Sequence, residues 1–580
     1  MKIMTTLHET DRSNASSLQL FFRLSRELLK ISPVCVVLAI LLAFLQGVLP
    51  SLSLLIMEWI MNNVQLSTVS VYQIVLLCAL YIGIEIIILS TSTFQNYLSF
   101  IINKKVDFKF CMWLLRKVSN LELIDFEISE TNDLINRAKE QLNGKIVPAY
   151  MAYIGVLQSF VFLISNLLVL VRSISVSVIF PIVFLAAIHS IAMFRLSKVQ
   201  YDIIRARTND ARKMWYLQYL LTNDIAFKEI KIYNAFNYLA GKYRAIFFGF
   251  LKTDKKIQQS FTVTDFVLSL LGQLYIGGVF FDAILGICQG RYQMGTALAY
   301  IKSVINIRNS TQSIFSQITS IKKQSYYLNQ LFELLDYQSK SIPFSGTKKL
   351  SSIQNIEFKN VTFSYPNRQS PVLIDVNVKL QKGDSIILEG ANGSGKSTFL
   401  KILAGYYSDY KGTILVDGID IRDIDIQSYR SCIGILLQDF VKYEMSIAEN
   451  LQIGMGNKES EITDIKAMLK EYGLPGYFYD DPDKQLGYWF KGGTQISGGQ
   501  WLKIALCRTM ARNSTVVLLD EFNAALDEKS ALSIWNKIQQ QRSDKIIISS
   551  IHHKEGMNLD NQRILYFSGG NVKELTPLQT

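Results

Sequence analysis

Residues 390–398, Gly-Ala-Asn-Gly-Ser-Gly-Lys-Ser-Thr, constrain the fold more than any other stretch, because they follow the pattern Gly-x-x-x-x-Gly-Lys-Ser. An apolar run at 385–388 precedes them, and a run typical of a helix at 399–403 follows them. A strand, a glycine-rich loop and a helix in that order form a phosphate-binding loop. The pattern therefore predicts an α/β nucleotide-binding domain in the second half of the chain.

Each position of this loop is a candidate contact to a nucleotide. Its glycines let successive backbone N–H groups turn toward one anion, and the following helix adds its positive end. Lys396 is expected to reach the β- and γ-phosphates, and the Ser397 hydroxyl to ligate Mg²⁺. The candidate nucleotide-binding residues of the loop are Gly390, Ala391, Asn392, Gly393, Ser394, Gly395, Lys396, Ser397 and Thr398.

The first half of the chain contains several apolar stretches that are long enough to cross a bilayer. Hydrophobic residues make up 49% of the sequence, and we attribute this share to a membrane domain followed by a soluble one. No small-residue cleavage site follows the first apolar run, so we predict no cleaved signal peptide. Six spans are predicted, at 32–57, 70–95, 149–171, 174–194, 262–287 and 294–316. Three polar side chains (Lys302, Asn306 and Arg308) interrupt the last, so it is expected to face a cavity.

The chain has a net charge of +12, and two long segments between these spans, 96–148 and 195–261, are rich in lysine and arginine, whereas the other connections hold few cations. The positive-inside bias places both long segments, the N-terminus and the C-terminal half in the cytoplasm. This topology explains the excess of positive charge, so we predict no nucleic-acid partner. Both segments carry apolar residues at helical spacing, which indicates membrane helices that extend into the cytoplasm.

A short stretch with a helix-start signal lies inside each long segment, at 124–133 and at 222–229. Two interpretations stay open: two ordinary capped helices, or two helices that touch the nucleotide-binding domain. The predicted division of the chain is a cytoplasmic N-terminal segment 1–31, a six-helix membrane domain 32–335, a polar linker 336–352, and a nucleotide-binding domain 353–580. Six scattered cysteines and four histidines predict neither a disulfide framework nor a zinc site.

Two carboxylates follow a buried-strand pattern at 515–519. Asp520 is expected to hold Mg²⁺, and Glu521 to polarise the attacking water. Tyr365 ends an alternating strand and is either a stacking partner for adenine or an ordinary core tyrosine. Ser497 and the two glycines after it precede a helix. The backbone at the start of this helix is a second candidate site for an anion. One ATP cannot be enclosed by two distant loops of a single domain, so this second loop predicts a second subunit.

Residues 350–575 resemble the nucleotide-binding domain of ABC transporters, and the first half is similar to the membrane domain of exporters in that family. The expected fold is thus an α-helical six-span transmembrane domain followed by an α/β P-loop NTPase domain of the ABC type. The motifs stand in the family's order: 390–398 resembles Walker A, Gln438 the Q-loop, 496–500 the Leu-Ser-Gly-Gly-Gln signature, 516–521 Walker B, and 525–527 the D-loop. Ile496 replaces the usual leucine, and Phe522-Asn523 replaces the usual Ala-Thr or Pro-Thr.

The resemblance also implies roles for single residues. Catalysis is assigned to Glu521 together with Gln438 and a switch histidine, for which His553 is favoured over His552 because Lys554 follows it. The implied ligands of Mg²⁺ are Ser397, Gln438 and Asp520. The implied nucleotide contacts outside the phosphate loop are Tyr365, Ser497, Gly498, Gly499, Gln500 and Asp527.

Three stretches, 437–443, 486–493 and 497–501, resemble bacterial lantibiotic and peptide exporters. This implies ATP-driven export of a modified peptide or an amphipathic small molecule across the bacterial cytoplasmic membrane, by alternating access of a homodimer. A heterodimer with a sister chain and a flippase for lipids or lipid-linked substrates are the alternatives; a channel gated by ATP is disfavoured by Glu521. The implied partners are a second copy, membrane lipids and the cargo. Because no peptidase domain precedes the first span, a separate protein is expected to remove any leader or modify the cargo.

Four ionisable residues lie inside predicted spans: Glu85 in the second, Asp282 in the fifth, and Lys302 and Arg308 in the sixth. A charge facing lipid at mid-membrane costs about 3 kcal/mol or more, so such groups usually face a cavity or a partner. Two interpretations are open. The four form structural ion pairs, or they line a partly acidic cavity suited to a cationic peptide.

Overall fold

The chain forms two compact units in a computed structural model. One unit consists of Met1–Ser119 with Leu134–Tyr337, and the other of Asn120–Asp133 with Gln338–Thr580. The short stretch of the first long segment therefore belongs to the same unit as the phosphate-binding loop. The structure describes residues 17–67, 69–141, 144, 146–173, 179–339, 344–366, 368, 370–456, 462–551 and 562–575.

The N-terminal half is helical, as its long apolar stretches require. Pro33 stands at the start of the second helix, where a missing N–H costs no hydrogen bond. Its helices are α1 (Ser17–Ile31), α2 (Pro33–Leu66), α3 (Val71–Ser119), α4 (Leu123–Glu127), α5 (Ser129–Gln141), α6 (Ile146–Ser173), α7 (Ile179–Ala206), α8 (Thr208–Thr222), α9 (Asp224–Ile232), α10 (Phe236–Cys288) and α11 (Met294–Asp336).

Among the described residues, five helices are long and apolar enough to cross a membrane: α2, α3, α6, α7 and α10. At 49 and 53 residues, α3 and α10 are far longer than the ~20 residues that a bilayer needs, so both extend beyond it. The sixth predicted span lies in α11, which is long but falls short of the others in hydropathy because of its charged and amide side chains. The count of six spans therefore stays a prediction.

The C-terminal half alternates strands and helices. Its strands are β1 (Asn355–Phe363), β2 (Leu373–Gln381), β3 (Ser385–Gly390), β4 (Lys411–Val416), β5 (Ile419–Asp420), β6 (Ile433–Leu436), β7 (Val516–Asp520), β8 (Ile546–Ser550), β9 (Arg563–Ser568) and β10 (Asn571–Leu575). Its helices are α12 (Lys396–Leu403), α13 (Ile426–Ser431), α14 (Ile447–Met455), α15 (Ile462–Glu471), α16 (Gly476–Asp480), α17 (Gly498–Ala511) and α18 (Glu528–Gln540).

A six-stranded sheet carries the core of this half, in the order β10-β9-β3-β8-β7-β6, and only β10 runs antiparallel to its neighbour. Alternate residues of each central strand enter two separate buried clusters: Ile386 and Leu388 of β3 lie in one, and Ile387 lies in the other. Both faces of the sheet are therefore covered, as parallel sheets require. The antiparallel sheet β2-β1-β4-β5 contributes to the first cluster.

Candidate functional site

The phosphate-binding loop joins the end of β3 to the start of α12, as the sequence predicted. Gly390, Gly393 and Gly395 have φ angles of 138°, 77° and 112°, a region that favours glycine. A Cβ on Gly390 would lie 2.3 Å from the carbonyl oxygen of Phe567, so a side chain is excluded there. The Lys396 ammonium donates to the carbonyl oxygens of Gly390 and Ala391, at 2.7 and 3.1 Å. Two backbone carbonyl groups of the loop thus hold the lysine side chain in place.

A cavity of about 410 Å³ opens beside this loop. Its wall brings together many of the predicted residues and two that the sequence did not suggest, Arg368 and Val372. The hydroxyl oxygens of Tyr365 and Thr398 lie 3.0 Å apart, so the tyrosine sits directly against the phosphate loop. The predicted residues in the wall are Tyr365, Asn392, Gly393, Gly395, Lys396, Ser397, Thr398, Gln438 and Glu521. Groups that can bind a phosphate, an aromatic ring and a carboxylate therefore line the same cavity.

Hydrogen bonds hold in place the last residue of β7, Asp520, and the residue after it, Glu521. The side chain of Glu521 is contacted by Gln438, whose amide Nε2 donates to Oε2 at 2.7 Å. Glu521 has a φ of 52°, which is strained for a residue with a side chain, and its N–H donates to the hydroxyl of Ser550 at 2.9 Å. The same hydroxyl donates to Asp520 Oδ1 at 2.7 Å. Ser550 therefore orients the carboxylate of Asp520 and fixes the backbone of Glu521, although sequence reasoning did not single it out.

The predicted magnesium ligands differ in their burial and in their access to the cavity. Asp520 is only 3% exposed and is not part of the cavity wall, whereas Ser397 and Gln438 are. Because Gln438 uses its amide nitrogen on Glu521, its amide oxygen is the atom left for a metal. Hydroxyl, amide and carboxylate oxygens form the hard donor set that Mg²⁺ prefers, so the residues fit the ion.

The signature residues and Asp527 cap helices away from this cavity. The Ser497 hydroxyl accepts from the N–H of Gln500 at 3.2 Å, and the Gln500 side chain accepts from the N–H of Ser497 at 2.9 Å, so the pair closes the start of α17. Asp527 caps α18 by accepting from the N–H of Ser530, and this hydrogen bond lowers the pKa of Asp527. Of the described residues that line the cavity, none comes from 497–500 or 527.

Comparisons with known proteins decide the family. A family model for ABC transporters matches residues 373–524. The subtilin transport ATP-binding protein SpaT of Bacillus subtilis is 32% identical over 538 residues, which are 91% of this chain and 86% of that protein. The chain belongs to the ABC transporter family. The nisin transport ATP-binding protein NisT of Lactococcus lactis is 29% identical over 569 residues, 97% of the transporter and 92% of that protein.

A solved structure agrees with this assignment at the level of the fold. A bacterial Atm1-family ABC exporter with ATP bound has a TM-score of 0.77 to the transporter, at 19% identity, with 95% of the transporter and 96% of that chain covered. The predicted family is thereby confirmed, and so is the predicted fold class apart from its count of six spans. The transporter is a multi-pass membrane protein and an ATP-driven exporter, and its ATP-binding domain is an ATPase coupled to transport.

The segment 120–133 of the transporter packs within the ATP-binding unit. Ile124 is 7% exposed and belongs to the same buried cluster as β1 and β3. The Tyr407 hydroxyl donates to Glu127 at 2.6 Å, and the Arg430 guanidinium lies 3.4 Å from a carboxylate oxygen of Glu122. The ring of Tyr407 in turn meets the ring of Tyr365 edge-on, with centroids 5.7 Å apart. One side chain thus separates this segment from the cavity wall.

The remaining predicted residues are not part of this site. His552 and His553 lie outside the described residues, so the choice between them stays a prediction. Among the described contacts, the four membrane charges have other partners than one another. These contacts are Ser53 to Glu85 at 2.5 Å, Arg291 to Asp282 at 3.5 Å, Lys302 to the Met57 sulfur at 3.6 Å, and Arg308 to Gln273 at 3.2 Å.

Proposed function

We propose that the transporter exports a lantibiotic-type modified peptide across the bacterial cytoplasmic membrane. The observation that carries this proposal is its similarity, over more than nine-tenths of its length, to two proteins named for subtilin and nisin transport. The two long cationic segments, 96–148 and 195–261, support a topology with the N-terminus and the ATP-binding unit in the cytoplasm. Export then starts from the cytoplasm, where the peptide is made.

The proposed working unit is a homodimer. Each ATP would lie between the phosphate loop of one copy and residues 497–500 of the other, with Asp527 nearby. The position of these capping residues away from the cavity supports this, because a second copy can bring them to the nucleotide. Symmetric dimers are the commonest oligomers, so two identical chains are the simplest assembly. The molecular mass of the purified dimer tests this. Twice the mass of one chain supports a homodimer, and any other mass indicates a heterodimer.

Hydrolysis is proposed to depend on Glu521, with Gln438 as its hydrogen-bond partner. The carboxylate would take a proton from the attacking water, and Gln438 holds it toward the cavity at 2.7 Å. Lys396 and the backbone N–H groups of the loop would bind the β- and γ-phosphates. Ser397, Asp520 and the amide oxygen of Gln438 would hold Mg²⁺, which neutralises phosphate charge when bound. A histidine at 552 or 553 is expected to contact the γ-phosphate.

Inside-out vesicles that contain the full chain test the cargo. We expect ATP-dependent uptake of a modified precursor of subtilin or nisin, and no uptake by the Glu521→Gln variant. A fluorescent phospholipid in the same vesicles tests the flippase alternative. ATP-dependent movement of the lipid without peptide uptake would replace the proposed function with lipid flipping.

A further inference from the structure

A largely apolar cavity lies within the membrane unit, and no ionisable residue lines it in the described part of the chain. It has a volume of about 380 Å³ and is lined from α2, α3, α6 and α11. Most of its lining surface is apolar, and the smaller polar part comes from three amides, of Gln46, Gln158 and Asn309, and four serine hydroxyls. None of the described residues that line it is ionisable. A cargo group inside this cavity therefore meets hydrogen-bonding groups and no countercharge.

Part of the polar lining is fixed in place by its own hydrogen bonds. The hydroxyl oxygens of Ser159 on α6 and Ser313 on α11 lie 2.9 Å apart. The Gln317 amide donates to both of them, at 3.3 and 3.1 Å. The wall between α6 and α11 is thus preorganised, which lowers the cost of ordering it around a ligand.

One amide of the lining has a nitrogen without a partner among the described residues. The Nε2 atom of Gln46 is buried and has no hydrogen bond within the described part of the chain. Leaving a buried donor unpaired costs free energy, so a ligand that supplies an acceptor gains by pairing with it. Each amide side chain offers both donors and an acceptor, which is the pairing that a peptide backbone presents.

The charged residues of the spans do not contribute to this lining. Glu85 lies one helical turn before Ile88 on α3, and its carboxylate accepts from Ser53. Asp282 has Arg291 beside it, at 3.5 Å. A charged cargo group placed among amides and serines would lose its water without gaining an ionic partner, which is unfavourable.

We propose that this cavity binds a short uncharged segment of the cargo through the amide groups of the peptide backbone. The inference rests on the proposed function, peptide export, and adds the chemical class that the binding site selects. A volume of about 380 Å³ lies near the lower end of the range of ~300–1,000 Å³ for ligand pockets. The cavity therefore holds a segment of the peptide and not the whole of it.

The test uses full-length chain in inside-out vesicles with modified nisin precursor as the probe. Gln46→Leu and Asn309→Leu remove one amide each at similar size, and we expect each to lower precursor uptake at least fivefold. Basal ATPase activity should stay within twofold of the parent, which shows that the variants are folded. Glu85→Gln keeps the hydrogen bond to Ser53 and removes the charge, and we expect uptake at the parental level.

A competition experiment with the parent chain needs no variant. A capped peptide of Gly, Ala, Ser and Leu should inhibit precursor uptake more strongly than the same peptide with two lysines. Equal inhibition, or parental uptake in both leucine variants, would overturn the inference and leave peptide export standing. A loss of uptake in Glu85→Gln that equals or exceeds the loss in Gln46→Leu would overturn it in favour of an acidic site. No uptake by the parent would remove the proposed function, and the inference with it.

Discussion

Removing the Tyr407 hydroxyl is predicted to weaken the coupling between ATP hydrolysis and export. This hydroxyl donates to Glu127 in the segment 120–133, and the Tyr407 ring contacts Tyr365, whose own hydroxyl lies 3.0 Å from Thr398 of the phosphate loop. Burial, and next the hydrogen bond to Glu127, raise the pKa of Tyr407 above its usual value, so the hydroxyl stays a donor at physiological pH. The phosphate-binding loop and the segment 120–133 are therefore connected by a series of side-chain contacts.

The structure sets the size of the effect. Tyr407→Phe removes one hydrogen bond to a carboxylate, which is typically worth about 1.5–3 kcal/mol. Glu127 is partly exposed, so water replaces some of the lost interaction and the lower end of the range applies. About 1.5 kcal/mol corresponds to roughly a tenfold change in an equilibrium. We expect the ratio of cargo-stimulated to basal ATPase activity to fall by up to about tenfold, with ATP affinity unchanged.

The assay is ATP hydrolysis by the full chain in proteoliposomes, with and without modified precursor peptide, for Tyr407→Phe, Glu127→Leu and the double variant. The two single losses should not add, because both remove the same contact. Tyr429→Phe is the matched control: Tyr429 is equally buried, but its hydroxyl donates to the Leu403 carbonyl oxygen and not, among the described hydrogen bonds, to the segment 120–133. An unchanged ratio in Tyr407→Phe, or an equal loss in Tyr429→Phe, would refute the reasoning.

Three further predictions concern the ATP-binding unit. Glu521→Gln should lower ATP turnover about 10²-fold or more and retain ATP binding, because an amide cannot act as a base; parental turnover would contradict this. Ser550→Ala should lower turnover roughly tenfold by freeing the Asp520 carboxylate and removing one acceptor of the Glu521 N–H, whereas Ser549→Ala, whose buried hydroxyl has no partner among the described residues, should not; equal rates would contradict the positioning role. Burial raises the pKa of Tyr429 and Tyr472, so the stability they contribute is complete below about pH 10 and is lost as the pH rises above it, because the unfolded chain ionises first. Thermal unfolding of the full chain between pH 8 and 11 measures this, and an unchanged melting temperature above pH 10 would contradict it.

The nucleotide site was predictable where its chemistry is local in sequence. The phosphate loop needs a strand, three glycines with positive φ and a helix in direct succession, and all of these are visible in residues 385–403. Ser550 was not predictable, because its role depends on strand order. Parallel pairing of β7 with β8 places Asp520 opposite Ser550, although 30 residues separate them in the chain. A serine at the end of an apolar strand gives no signal until its neighbour is known.

In the membrane half, charged residues stand out in the sequence, but the folded structure does not place them in the proposed cargo site. Asp282 attracts attention because an acid inside a span is rare, yet its described partner is Arg291, which lies in the connection beyond the span. Amides and serines are common in spans, so Gln46 and Asn309 draw no attention in sequence. They become distinctive only when the packing of α2, α3, α6 and α11 brings them to one cavity without a charge. The proposed recognition of cargo by uncharged hydrogen-bonding groups therefore depends on how four helices pack. The sequence of each helix alone does not show which residues meet in the cavity.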